Sequence, residues 1–205
     1  MAFRLARGTS TWFFVAWGLA LLLAALTVWV SGWFLLPFAP AFALAILMLN
    51  FFRDPERNAG EGLVAPADGV VQSIDEWEDG RTRVAIFMNP FNVHVNRAPF
   101  DAVVGSVEHV AGGFVPAFDK ESERNERVVW HFETAAGDVE VIQIAGAVAR
   151  RIVPYLAKGD KVRKGERFGM IRLGSRVDTF LPPGVAPAVK LGEITVAGET
   201  TLARL

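Results

Sequence analysis

A chain of 205 residues has room for one globular domain and a membrane segment. Its formal net charge of −1 offers nothing that would attract a nucleic acid, and the lack of cysteine excludes disulfides, thiolate metal sites and a cysteine nucleophile. Hydrophobic residues make up 52% of the chain, high for a soluble protein, and most of the excess lies in the first fifty positions.

From Trp12 to Leu49 no residue is charged. A helix crosses the hydrocarbon core with about 20 apolar residues, so this stretch predicts two short spans. They break at Ser31-Gly32, and Pro37 and Pro40 limit where the second helix can begin. Trp12, Trp17, Trp29 and Trp33 suit the interfaces. Arg4 and Arg7 precede the first span, and Arg53 and Arg57 follow the second. Positive residues stay inside, so residues 1–50 are expected to form a hairpin anchor in the cytoplasmic (inner) membrane, with the rest of the chain facing the cytoplasm. A cleaved signal peptide is disfavoured because the apolar stretch is too long. A single long or re-entrant span is the competing reading.

After Asn50 short runs rich in valine and isoleucine alternate with glycine, proline and aspartate. Residues 69–71, 84–87 and 139–142 read as strands, with turns at Asp79-Gly80, Ala136-Gly137-Asp138 and Lys158-Gly159-Asp160. Glu193 to Val196 is strand-like as well. Lys120 to Arg127 is a short helix or an ordered loop. Residues 51–205 therefore predict a mainly β (α+β) domain. Two segments, 65–71 and 159–166, are similar to the turn-and-strand units of biotinyl or lipoyl carriers, which implies barrel-sandwich-like β units. No lysine stands in the setting that a carrier needs. Neither GxGxxG nor a P-loop occurs, so a nucleotide cofactor is unsupported, and three scattered histidines make no metal site.

Local motifs then follow one another in a fixed order. Phe51-Phe52-Arg53-Asp54-Pro55-Glu56-Arg57 comes first, then Pro66-Ala67-Asp68-Gly69 and Asn92-Val93-His94-Val95-Asn96-Arg97. The charged run from Lys120 to Arg127 is next, then Gln143-Ile144-Ala145-Gly146 and Ala149-Arg150-Arg151-Ile152. Phe168-Gly169-Met170-Ile171-Arg172-Leu173-Gly174-Ser175 closes the series. The ordered set closely resembles short-form phosphatidylserine decarboxylase proenzymes, pyruvoyl-dependent enzymes, over nearly all of the chain from Phe51 onward.

The resemblance implies conversion of phosphatidylserine to phosphatidylethanolamine and carbon dioxide. It also implies self-cleavage between Gly174 and Ser175, which leaves a β chain of residues 1–174 and an α chain of 175–205 that stay associated. The chemistry asks for these residue types. Ser175 must attack the Gly174 carbonyl, and a serine hydroxyl needs a base beside it. His94, with an ordinary histidine pKa of about 6.5, is the expected base. Asp68 is expected to orient it, as the acid of a serine triad does. Elimination and hydrolysis then turn Ser175 into a pyruvoyl group. Its carbonyl would form a Schiff base with the substrate amine and take up the electrons that departing carbon dioxide leaves, with no pyridoxal phosphate, nucleotide or metal. His94 is also the expected donor of the returning proton.

The family's longer members carry a second histidine where this chain has Phe91. Lys120, Arg127, Arg150 and Arg151 are candidates for holding the lipid phosphate, although a solvated face is the simpler reading of charged runs. His109 and His131 are expected to be structural or surface residues. The implied partners are phosphatidylserine in the bilayer and the chain's own second fragment; a homo-oligomer is left open. The rival readings are a carrier domain, a serine hydrolase using Asp68, His94 and Ser175, and a pyruvoyl decarboxylase for another amino acid head. The hydrolase reading lacks the Gly-x-Ser-x-Gly elbow.

Overall fold

The computed structural model describes residues 4–9, 11–77, 79–113, 115, 124–135, 137–146, 151–172 and 175–204. They form two compact units, Met1–Pro55 and Glu56–Leu205.

The first unit is a helical hairpin. Helix α1 spans Thr11–Trp29, a short 3-10 turn spans Gly32–Phe34, and α2 spans Leu35–Phe51. Ser31 makes the break, its hydroxyl accepting from the Trp33 N–H. Helix α2 starts ahead of both prolines. Pro37 falls in the first turn, where no N–H is needed, and Pro40 costs the helix one internal bond. Small residues Ala16, Ala20 and Ala45 let the helices approach closely, with Trp17 and Met48 packed beside them. At the open end Arg4 and Asp54 pair at 3.5 Å, and the Ala6 N–H donates to the Phe52 carbonyl. A helix of 19 residues is about 28 Å long. Each helix is long and apolar enough to cross a membrane, and large apolar side chains such as Phe14, Leu21, Leu22, Leu35 and Leu36 are exposed on both.

The second unit is mainly β. Its strands are β1 (Leu63–Val64), β2 (Gly69–Glu76), β3 (Thr82–Met88), β4 (Val95–Arg97), β5 (Ala102–Val110), β6 (Arg127–Thr134) and β7 (Gly137–Ala145). Then follow β8 (Ile152–Pro154), β9 (Lys161–Val162), β10 (Arg167–Ile171), β11 (Ser175–Leu181), β12 (Ile194–Thr195) and β13 (Thr201–Ala203). Eight of them pair in the order β12-β2-β3-β11-β7-β6-β5-β9. A second sheet runs β4-β10-β8, and β1 pairs with β13. The sheets are open and their pairs antiparallel, so the sandwich-like units expected from the sequence do not close into barrels.

The expected strands at 69–71, 84–87 and 139–142 fall within β2, β3 and β7, of the expected Glu193–Val196 strand only Ile194–Thr195 forms β12, and the expected turns carry Gly80, Gly137 and Gly159 with positive φ. The segment expected as a short helix or loop lies outside the described residues from Lys120 to Glu123, and its last residue, Arg127, opens β6. Gly69 is required by close approach: a Cβ there would stand 2.1 Å from the Phe87 carbonyl oxygen. Strand β11 lies at the centre of the large sheet and every one of its residues is buried. Alternation puts Ser175, Val177, Thr179 and Leu181 on one face and Arg176, Asp178 and Phe180 on the other. Val177 and Leu181 belong to the main core, which also holds Trp130, Phe132 and Phe168, so Ser175 faces the core.

Candidate active site

Ser175 is the first residue of β11 and is fully buried. It is registered against Met88 on β3 and Ala145 on β7, so the sheet holds it from both sides. Its hydroxyl donates to Met88 Sδ at 3.5 Å, a weak acceptor that leaves the oxygen lone pairs available. The same sulfur receives the Asn96 amide at 3.8 Å. Asn96 Oδ1 accepts from Gln143 Nε2 at 2.7 Å, and Gln143 Oε1 accepts from Trp130 Nε1 at 2.8 Å. This buried chain of polar groups ties β4, β6 and β7 to the serine. Asn125 braces the other side by donating to the Ala145 carbonyl at 2.8 Å.

His94 is also fully buried, just ahead of β4. Its Nδ1 lies 3.0 Å from the Asn92 carbonyl oxygen. A carbonyl can only accept, so Nδ1 carries the proton and Nε2 is the basic nitrogen of the neutral ring. The His94 carbonyl accepts from the Ile171 N–H at 3.2 Å, where β4 pairs with β10. Ile171 lies four residues before Ser175, so the histidine loop is bonded directly to the chain that runs into the Gly174-Ser175 junction. Gly174 itself lies outside the described residues.

Asp68 sits in the turn before β2, its carboxylate accepting from four donors. Arg57 grips it with both terminal guanidinium nitrogens, Nη2 at 2.8 Å, and the Ala197 N–H donates at 2.8 Å. The fourth donor is the Val93 N–H at 3.4 Å. Asp68 thus reaches the histidine loop through the backbone of the residue before His94, while the Asn92 carbonyl takes the position on Nδ1. Arg57 also donates to the Ala197 carbonyl at 2.9 Å, so the ion pair clasps both backbone polar groups of one residue.

The remaining candidates are not gathered here. Lys120 and Arg150 lie outside the described residues. Arg127 is registered against Ile144, which pairs with Arg176, so it lies on the sheet face opposite Ser175. There it lines a cavity of about 200 Å³ with Trp77, Arg83, Ile142, Asp178 and Phe180. Arg151 is exposed, and its carbonyl accepts from the Arg172 N–H at 3.2 Å beside the β8–β10 ladder. Burial lowers the pKa of Arg172, and the neighbouring charge of Arg151 lowers it further. Arg172, three residues before Ser175, thus feels the positive charge of Arg151. His109 and His131 lie on the surface, beside Glu126 and Glu140.

Sequence reasoning did not single out Arg57, Met88, Asn92, Asn96 or Gln143. All but Met88 stand inside the motifs quoted above; nothing in the sequence marks Met88.

The fold and this region define a mainly β domain with a buried serine at the head of a central strand. The chain belongs to the phosphatidylserine decarboxylase family, whose model matches residues 44–203. It is 63% identical to a phosphatidylserine decarboxylase proenzyme of Streptomyces coelicolor, over 98% of this chain and 92% of that one. Identity is 59% with the proenzyme of the same name from Streptomyces griseus, over 98% and 94%. With that of Thermobifida fusca it is 58%, over 98% and 93%. The chain is therefore a decarboxylase.

Proposed function

We propose that this enzyme decarboxylates phosphatidylserine to phosphatidylethanolamine after cutting itself between Gly174 and Ser175. The observation that carries the reading is the placement of Ser175 at the buried head of β11, with the chain leading into it bonded to the His94 loop.

In the cut, the hydroxyl turns from Met88 Sδ toward His94 Nε2, which takes its proton, and Oγ attacks the Gly174 carbonyl. The peptide nitrogen leaves with a proton and an ester joins Gly174 to the serine oxygen. Loss of the serine α-proton then breaks the Cβ–O bond. One chain now ends in the Gly174 carboxylate and the other begins with dehydroalanine, which adds water and releases ammonia to give the pyruvoyl group. Asp68, gripped by Arg57, fixes the loop through the Val93 N–H.

The surroundings of Ser175 suit such a group. It is small and uncharged, its site is closed to water, and the residue that bears it is paired on both sides. The group supplies an electrophile for the substrate amine and a sink for the electrons left by carbon dioxide. His94 is placed to return a proton to the substrate α-carbon. Arg151 and Arg172 supply positive charge suited to a phosphodiester. The helical hairpin anchors the enzyme in the cytoplasmic membrane, where a diacyl lipid stays.

The test is the intact mass of the purified chain beside Ser175→Ala. Wild type should yield two fragments meeting at Gly174, the smaller lighter by one ammonia than a peptide starting with serine, and Ser175→Ala should stay whole. A folded wild-type chain that remains uncut would overturn the reading.

A further inference from the structure

We infer that the β unit carries its own bilayer-contacting surface, formed by Phe91, Val70, Leu191 and Ile194 around the Ser175 end of the large sheet. The inference rests on the lipid substrate proposed above. In this unit the exposed large apolar side chains among the described residues are these four and Trp77, which lies at the opposite end of β2.

Their placement is not scattered. Val70 on β2 and Ile194 on β12 are direct cross-strand partners, so their side chains share a face. Val70 is registered in turn against Phe87 on β3, one residue from the Met88 that pairs with Ser175. Phe91 stands in the tight turn that leaves β3, closed by the Asn92 N–H donating to the Asn89 carbonyl. That turn returns past Asp68 through Val93 and leads directly into His94. Leu191 occupies the turn before β12, which is fastened to β2 by the Gly192 N–H on the Val71 carbonyl.

Phe91, Leu191 and Ile194 are 67%, 69% and 73% exposed, on two turn tips and an edge strand. A second protein copy would fit a flat face; separate protruding apolar tips fit acyl chains, into which each can dip by itself. Exposed Lys190 stands beside Leu191 and would meet anionic headgroups. A serine lipid whose tails stay in the bilayer would thereby present its headgroup at the end of the sheet where Ser175 and His94 lie.

The chain has no cysteine, so single cysteines can be labelled uniquely. Full-length Phe91→Cys, Leu191→Cys and Ile194→Cys would each carry a bimane label in phosphatidylcholine vesicles containing phosphatidylserine. Asp138→Cys, at the start of β7 and the far end of the sheet, is the control. Nitroxide on the lipid tails should quench the first three at least about twofold more than the control. Equal quenching at all four positions overturns the inference. So does an absence of quenching at 91, 191 and 194; oxidative disulfide cross-linking of the unlabelled cysteines there between copies would then show that a second copy covers the surface.

In wild-type background, Leu191→Ser with Ile194→Ser should raise KM for bilayer phosphatidylserine about tenfold at unchanged kcat. Turnover of a short-chain, monomeric phosphatidylserine should not change; an equal loss on both substrates would also overturn it. Quenching requires no turnover, so quenched labels on an enzyme inactive toward phosphatidylserine would sink the substrate proposal and leave the surface standing.

Discussion

Asp68 carries its charge in the interior, and four donors meet it there: two from Arg57 and one each from the backbones of Val93 and Ala197. Both side chains of the pair are about nine-tenths buried. Removing one partner of a buried pair leaves the other charge stranded, which costs roughly 3–5 kcal/mol. Arg57→Ala should therefore lower stability by about that amount, read from urea midpoints, and slow self-cleavage. Arg57→Lys keeps the charge but loses the two-pronged grip, so it should recover only part of the stability. A full recovery would show that charge alone, and not the geometry of the clasp, is what Asp68 requires.

At the scale of elements, the face of the large sheet opposite the core is laced across three strands by alternating charges. Asp75 on β2 accepts from Arg83 on β3 at 2.8 Å, and Arg83 lies 3.6 Å from Asp178 on β11. Asp178 in turn takes a two-pronged grip from Arg176 at 2.8 and 2.9 Å. Burial pushes the Asp75 carboxyl upward, but hydrogen bonds from Ser73 and Arg83 and the charges of Arg83 and Arg176 outweigh it and hold the pKa below its ordinary 3.8. A carboxylate depressed in this way stabilises the fold above the unfolded pKa and loses that contribution as pH falls through the folded value. Asp75→Asn should thus be less stable than wild type at neutral pH, with the gap closing as pH falls below the ordinary carboxylate value of 3.8. Denaturant midpoints at the two pH values check it; a gap that persists in acid would assign the loss to packing.

For the molecule as a whole, the place of β11 decides what a cut at its head would do. The strand lies between β3 and β7 and is buried throughout, and its fragment continues to Ala197 in the Arg57–Asp68 clasp and to β13 beside β1. Residues 175–205 should accordingly stay docked after self-cleavage. Native mass spectrometry should return one species with the summed mass of both fragments, separable only in denaturant. Release of the small fragment under native conditions would mean that the junction peptide itself holds the sheet together.

Much of this was legible in the sequence, because it depends on local pattern. An uncharged apolar stretch broken by Ser31-Gly32 specifies two helices, and runs such as Val139 to Ile142 between glycine turns specify strands, since both follow from period and turn chemistry. The ordered motifs carried the family and, with it, Ser175, His94 and Asp68 as candidates. Only the tertiary structure placed Met88 Sδ on the serine hydroxyl, the Asn92 carbonyl on His94 Nδ1 and Arg57 on Asp68. It also put Arg127 on the face away from Ser175. The reason is physical: these contacts join residues 2 to 87 positions apart, and strand register, which fixes the face each side chain takes, is set by the packing of the whole sheet rather than by any one segment.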